Sequence, residues 1–137
     1  MNNQSTSHLF MIEPDGFYCN EETAYTNHYQ SKKMDESSKI VAEKALNEFK
    51  NLKNEIESRS IQVTALKGSK DCPDNIFPNW FITFSDKTMQ IFSMMAPNRR
   101  NEKKPHMIEH LKETYELTED FSYLEEQELF LESTSSM

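Results

Sequence analysis

The chain has 137 residues, a formal net charge of −8, 36% hydrophobic residues and 28% charged ones. That length allows one domain of ordinary size, and the acidic balance argues against nucleic acid, whose phosphates call for clustered Lys and Arg. No apolar run approaches the roughly 18 residues of a membrane span, and the N-terminus lacks the basic and then apolar regions of a secretory signal, so a cytoplasmic protein is expected.

His8-Leu9-Phe10-Met11-Ile12 is a short apolar run suited to a buried strand, and Pro14-Asp15-Gly16 stops it. Phe17 to Lys33 shows no period and reads as irregular chain. A helix follows from about Ser37 to Ser58, because Val41, Ala45, Phe49, Leu52 and Ile56 recur on one helical face. Asp35, Ser37 or Ser38 can cap its start. Ile61 to Leu66 alternates and is rich in β-branched residues, which predicts a strand, and Gly68 to Pro78 is a polar connection.

Ile76 to Arg100 is the longest apolar-rich stretch. Trp80, Phe81, Ile82 and Phe84 precede Ser85-Asp86-Lys87-Thr88, and Met89, Ile91, Phe92 and Met94 follow it. That pattern predicts a β-hairpin reversing at Asp86-Lys87, although without the glycine that two-residue turns prefer. Such a hairpin carries the amide of Asn79 at one end and the guanidinium groups of Arg99 and Arg100 at the other, which suits a small charged ligand. Pro105 opens a second helix with Met107, Ile108, Leu111 and Tyr115 on its apolar face. From Glu113 onward there is no Lys or Arg, and the acidic run reads as a solvated face or loop. Phe130-Leu131 looks like the start of another strand. The order strand, helix, strand, hairpin, helix, strand predicts an α/β protein with a mixed sheet and two helices.

Cys19 and Cys72 lie in unrelated contexts and read as reduced thiols. With only two glycines, far below the usual level of about 7%, some turns must manage without one. His106-Met107-Ile108-Glu109-His110 matches the inverted zinc-protease pattern, with both histidines on one helical face. A catalytic zinc needs a third ligand, for which nothing downstream stands out, so no metal or other cofactor is expected. His8 and His28 read as structural or surface residues.

Four segments, in order, resemble amidinotransferase-like proteins related to arginine deiminase. They are Met11-Ile12-Glu13-Pro14 with Asn20-Glu21-Glu22-Thr23-Ala24, Asn27 and Tyr29-Gln30; Phe77-Pro78-Asn79-Trp80-Phe81; Met94 to Arg100 with Glu102; and Phe130-Leu131-Glu132. The resemblance is strongest to the citrulline- and arginine-directed hydrolases. It implies a partial α/β propeller, with this chain supplying roughly the first two of five pentein-type modules. Residues 1–137 would then be the N-terminal part of one amidinotransferase-like domain, truncated at its C-terminus.

A guanidinium or ureido group is planar with N–H donors along its edges, so paired carboxylate or amide oxygens hold it in one plane. The resemblance assigns that role to Asn79 and Glu132, and binding of the substrate carboxylate to Arg99 or Arg100. Glu102 would support the start of the following helix. The departures are Glu13 in place of Arg, one Asn rather than two before Trp80, and Ser133 and Ser135 in place of glycines. The family's catalytic His and nucleophilic Cys lie in its second half, and neither Cys19 nor Cys72 sits in a matching motif, so this chain alone should not be catalytic. The expected partner is a small guanidino or ureido amino acid. Self-association is also expected, through Trp80, Phe84 and Phe92 left uncovered. The reading from a different class is a non-catalytic binding or interaction module.

Overall fold

Two crossover units build the protein, and the computed structural model describes residues 6–24 and 38–133 of them. Strand β1 (His8–Glu13) pairs in parallel with β2 (Gln62–Lys67), from His8 opposite Gln62 to Glu13 opposite Lys67. Parallel neighbours need a crossover. The chain supplies it with a short turn of helix, α1 (Glu21–Ala24), and the long helix α2 (Ser38–Ser58). On the predicted face of α2 only Phe49 is buried, while Leu52 is 53% exposed. Two strands cover only a narrow strip of helix, so Leu52 stays in solvent while Val41, Ala45 and Ile56 are half-buried. Asp35 and Ser37 lie outside the described residues, as do Asn27, His28, Tyr29, Gln30 and Ser135, while Ser38 is already helical.

The second unit begins with the predicted hairpin, β3 (Phe81–Thr83) antiparallel to β4 (Thr88–Ile91). Its loop is one residue longer than a two-residue turn: Phe84 N–H donates to the Thr88 carbonyl at 2.9 Å and Lys87 N–H to the Phe84 carbonyl at 3.1 Å. Lys87 takes φ 69°, the left-handed residue that a three-residue loop requires. The Asp86 carboxylate accepts from both the N–H and the hydroxyl of Thr88 and steadies the reversal. Helix α3 (Pro97–Arg100) and helix α4 (Pro105–Lys112) then carry the chain over to β5 (Glu116–Asp120), which runs parallel to β4. Pro105 opens α4 as expected, and Met107 and Leu111 are its buried face.

Four expectations need correction. The mixed sheet is confined to the three strands ordered β3-β4-β5, and β1-β2 form a separate parallel pair. The acidic run is a solvated face, exposed at four of the five β5 residues, but not a loop, because its first part is β5 and its next a 3-10 helix, Phe121–Gln127. An edge strand tolerates four polar side chains in five provided one residue points inward, here Leu117 against the core. The 3-10 helix is tied down by Glu125, which accepts from the Met94 N–H at 2.8 Å and pairs with Lys103. Phe130-Leu131 starts no strand; Leu131 N–H reaches Ser93 and Ser133 N–H reaches the Asn79 carbonyl, single anchors rather than a ladder. Finally, Trp80 is fully buried and Phe92 is buried, leaving only Phe84 of that trio exposed.

Trp80 sits in one cluster with Ile12 from β1, Met89 and Ile91 from β4, Met94, and Met107 and Leu111 from α4. Phe10 of β1 meets Phe81 of β3 edge to face at 5.5 Å, which joins the two sheets. Among the described residues no helix is long and apolar enough to cross a membrane. The shortage of glycine shows as Ser60, Lys87 and Glu128 at positive φ. Glu128, at φ 56°, closes the 3-10 helix where glycine is the favoured residue. Gly68 is required for another reason: a Cβ there would lie 2.3 Å from Nδ2 of Asn75. Glu128→Gly is therefore expected to stabilise the protein by about 1 kcal/mol, and Gly68→Ala to destabilise it by about 1–3 kcal/mol. Urea melts of both variants check this, and equal shifts of one sign would refute it.

Candidate functional site

The polar connection after β2 folds into consecutive turns. Cys72 N–H donates to the Ser69 carbonyl, Asn75 N–H to that of Cys72 and Phe77 N–H to that of Asp74. This coil buries Cys72, Asp74 and Asn75. A buried carboxylate needs donors, and Asp74 Oδ2 has Asn20 Nδ2 at 2.7 Å and the Thr23 hydroxyl at 2.8 Å. Asn20, 1% exposed, ties the site together further: its Oδ1 accepts from Asn98 Nδ2 at 2.7 Å and from the Glu22 N–H at 3.1 Å. The Glu22 carboxylate in turn accepts from the Asn98 N–H at the start of α3.

Arg99 stands where these pieces meet. Its Nε donates to Glu102 Oε1 at 2.8 Å and its Nη2 to Glu102 Oε2 at 3.2 Å, a two-point pair in which Glu102 is 1% exposed. The same Nη2 reaches the Phe77 carbonyl at 2.7 Å and Asn79 Oδ1 at 3.0 Å, and Nη1 lies 3.8 Å from Glu132 Oε2. Burial works against the Arg99 charge, but the hydrogen bond and charge of Glu102, with Glu132 and Asp74 beyond, outweigh it and raise its pKa. Burial pushes the Glu102 carboxyl up to about 7 despite the pull of Arg99. At the start of α4 only the Glu102 carbonyl takes part, accepting from the Lys104 N–H at 2.8 Å; its side chain is the buried partner of Arg99 rather than a cap.

Above this network lies an open cavity of about 520 Å³, with Glu22, Thr23, Asp74, Phe77, Asn79, Met95, Ala96, Pro97, Arg99 and Glu132 along its walls. It gathers Asn79, Arg99 and Glu132 from the sequence-level set. Arg100 lies off it, with Nε donating to the Met94 carbonyl at 3.0 Å, Nη2 to that of Met95 at 3.2 Å and its guanidinium 5.6 Å from the Phe130 ring centre. The Asn79 amide is engaged on both sides, by Arg99 and by the Ser133 carbonyl at 2.9 Å. Glu132 Oε1 accepts from the Met95 N–H at 2.9 Å. Ser133, standing where the resemblance expects glycine, is not among the residues at positive φ and carries no such strain.

Sequence reasoning passed over Asp74, and Glu22 and Thr23 had no assigned role although they belong to the matching Asn20–Ala24 segment. The available signal for Asp74 was an acidic residue directly after Cys72-Pro73 in a stretch too rich in turn formers to be a strand. Cys72 is buried away from the cavity walls, and its thiol is pushed up to about 11 by burial first and Asp71 next. His106 is exposed and His110 lies 3.5 Å from Glu113; among the described residues no three metal-ligating side chains stand together.

The two arginines separate in a stability experiment. Lysine cannot bridge Glu102, the Phe77 carbonyl and Asn79 at once, so Arg99→Lys is expected to cost about 2–4 kcal/mol. Arg100→Lys, at a partly exposed position, should cost about 1 kcal/mol or less. Chemical denaturation of both variants gives the comparison, and equal losses would contradict the central position of Arg99.

The family model for eukaryotic N,N-dimethylarginine dimethylhydrolase matches residues 13–137. Among solved structures, ArgZ, an arginine dihydrolase from the ornithine-ammonia cycle in cyanobacteria, superposes with a TM-score of 0.67 at 19% identity, over 92% of this chain and 17% of its own. Unliganded AgrE superposes with a TM-score of 0.66 at 19% identity, over 92% and 17% of the two chains. A dimethylarginine dimethylaminohydrolase bearing an adduct with S-methyl-L-thiocitrulline gives 0.60 at 15% identity, over 84% of this chain and 42% of that one. At such identities the likeness is one of fold, and the chain spans less than half the length of each of these proteins. The comparison with curated proteins found no match. The matching family model, over nearly the whole chain and with the fold of arginine-directed hydrolases beneath it, places this chain in the eukaryotic N,N-dimethylarginine dimethylhydrolase family.

Proposed function

We propose that the cavity is part of the recognition shell for a small guanidino or ureido amino acid, in a hydrolase-type propeller of which this chain forms about two of five modules. The observation that carries this reading is the charge of the wall. Glu22, Asp74 and Glu132 line the cavity, whereas Arg99, the only cation among the lining residues, is already paired with Glu102. A planar guanidinium presents N–H donors that such carboxylates accept in one plane. Phe77 and Met95, both more than half exposed and both on the cavity wall, suit the aliphatic stem of such an amino acid.

Hydrolysis at the guanidino carbon needs a thiolate next to a general acid/base. Cys72 remains a thiol at neutral pH and Cys19 is not on the cavity wall. In this reading the nucleophile and its proton-transfer partner come from other modules, and these residues bind and orient. The exposed Ile82 and Phe84 at the β3 edge are where the next module, or a second copy of this chain, would pack.

Titration of the protein with L-arginine, followed by the amide signals of the cavity wall, tests this. Glu132→Gln is expected to weaken binding by about tenfold, the loss of one hydrogen bond to a charged group, and Asp74→Asn by at least as much. The chain should release neither ammonia nor citrulline or ornithine. Arginine binding left intact in both variants would refute the site, and turnover abolished by Cys19→Ala with Cys72→Ala would refute the division of labour.

A further inference from the structure

We propose that Glu102 is a positioning residue of the cavity: through Arg99 it fixes Asn79 and sets how much negative charge Glu132 presents to a ligand, so that the proton on a carboxyl outside the cavity tunes the affinity for a cation. The proposal rests on the reading of the cavity as a cation site. Its basis is a single chain of contacts. Glu102 does not line the cavity, yet both its oxygens hold Arg99, whose Nη2 binds Asn79 Oδ1 and whose Nη1 lies beside Glu132, and both of those residues do line it.

The groups facing Glu102 come from three stretches of chain. Arg99 belongs to α3, Asp74 and Cys72 to the coil after β2, and Glu132 to the C-terminal segment. Arg99 is the one cation among them, so its charge is shared among three carboxyls. With Glu102 ionised, the Arg99 charge is balanced locally, and Asp74 and Glu132 are left for a ligand. With Glu102 protonated, Arg99 draws on Glu132 and Asp74 instead, and the cavity loses close to one negative charge. Burial places this change near neutral pH, since it pushes the Glu102 carboxyl up to about 7. The sign follows: cation affinity is low below that pH and rises as the proton leaves. One elementary charge at this range, partly screened, corresponds to about a tenfold change.

Two readouts test the proposal on the whole chain, wild type and Glu102→Gln. In NMR, the Arg99 Nε–H and Asn79 Nδ2 signals of the wild type should shift together with one midpoint near pH 7, and that step should vanish in Glu102→Gln. L-arginine affinity should rise about tenfold through the same midpoint in the wild type, and stay low and flat in the variant. A midpoint below about pH 5, where an ordinary glutamate titrates, or one that persists in Glu102→Gln, overturns the proposal, and the wild-type signals alone decide this if the variant folds poorly. Coupled titration with no arginine binding at any pH overturns the cation-site reading and the ligand half of the proposal, while establishing the link from Glu102 to Asn79.

Discussion

The pair between Glu102 and Arg99 is the contact on which the rest of the site depends. Two buried ions lose most of their hydration, and the geometry must return it through hydrogen bonds. Here the guanidinium fork satisfies both Glu102 oxygens and still reaches the Phe77 carbonyl and the Asn79 amide. Asn79 passes the constraint to the C-terminal segment through the Ser133 carbonyl, and the Glu132 carboxylate returns it to the Met95 N–H. Three stretches far apart in sequence are thereby held around one opening. Apart from Arg99 in α3, the contacts come from irregular chain, so no strand ladder holds them.

The layer beneath the opening is packed. Trp80 follows Asn79 directly and lies at 0% exposure among Met89, Ile91, Met94 and Met107. The cavity residue and the core residue are adjacent on the chain, so movement of one disturbs the other. Methionine fills much of this core, and its flexible thioether adapts to the irregular space between two small sheets and one helix. The second ion pair, Lys103 with Glu125, secures the acidic 3-10 helix against the exit of β4. The repulsion within the acidic tail is relieved where Glu125 meets Lys103 and where Glu132 lies beside Arg99.

In the proposed reading, the acidic wall and partly apolar rim would take a cation on an aliphatic stem, because the arginine close by is already paired with Glu102. The matched structures are much longer than this chain. The Cys72 thiol is buried and pushed up to about 11, whereas a nucleophilic thiol calls for exposure and a lowered pKa.

Periodicity and local chemistry made much of the fold legible. The helix over Ser38–Ser58, the strands His8–Glu13 and Gln62–Lys67 (though not their pairing), the hairpin and the helix at Pro105 all follow from spacing and turn residues that act within a few positions. The resemblance drew Asn79, Arg99, Arg100 and Glu132 into one candidate set, and all of these but Arg100 line one cavity. Contacts between distant segments could not be read in that way. Nothing local marks Glu116–Asp120 as a strand, since four of its five side chains are polar and only pairing with β4 makes it one. Nothing local separates Arg99 from its neighbour Arg100, yet one is buried against Glu102 and the other holds two backbone carbonyls near the surface. The burial of Asp74 and Glu102 was equally hidden, because a carboxylate's environment is set by which donors the folded chain brings to it. Spacing along the chain determined the elements, and only tertiary packing decided which charged groups were removed from water and paired.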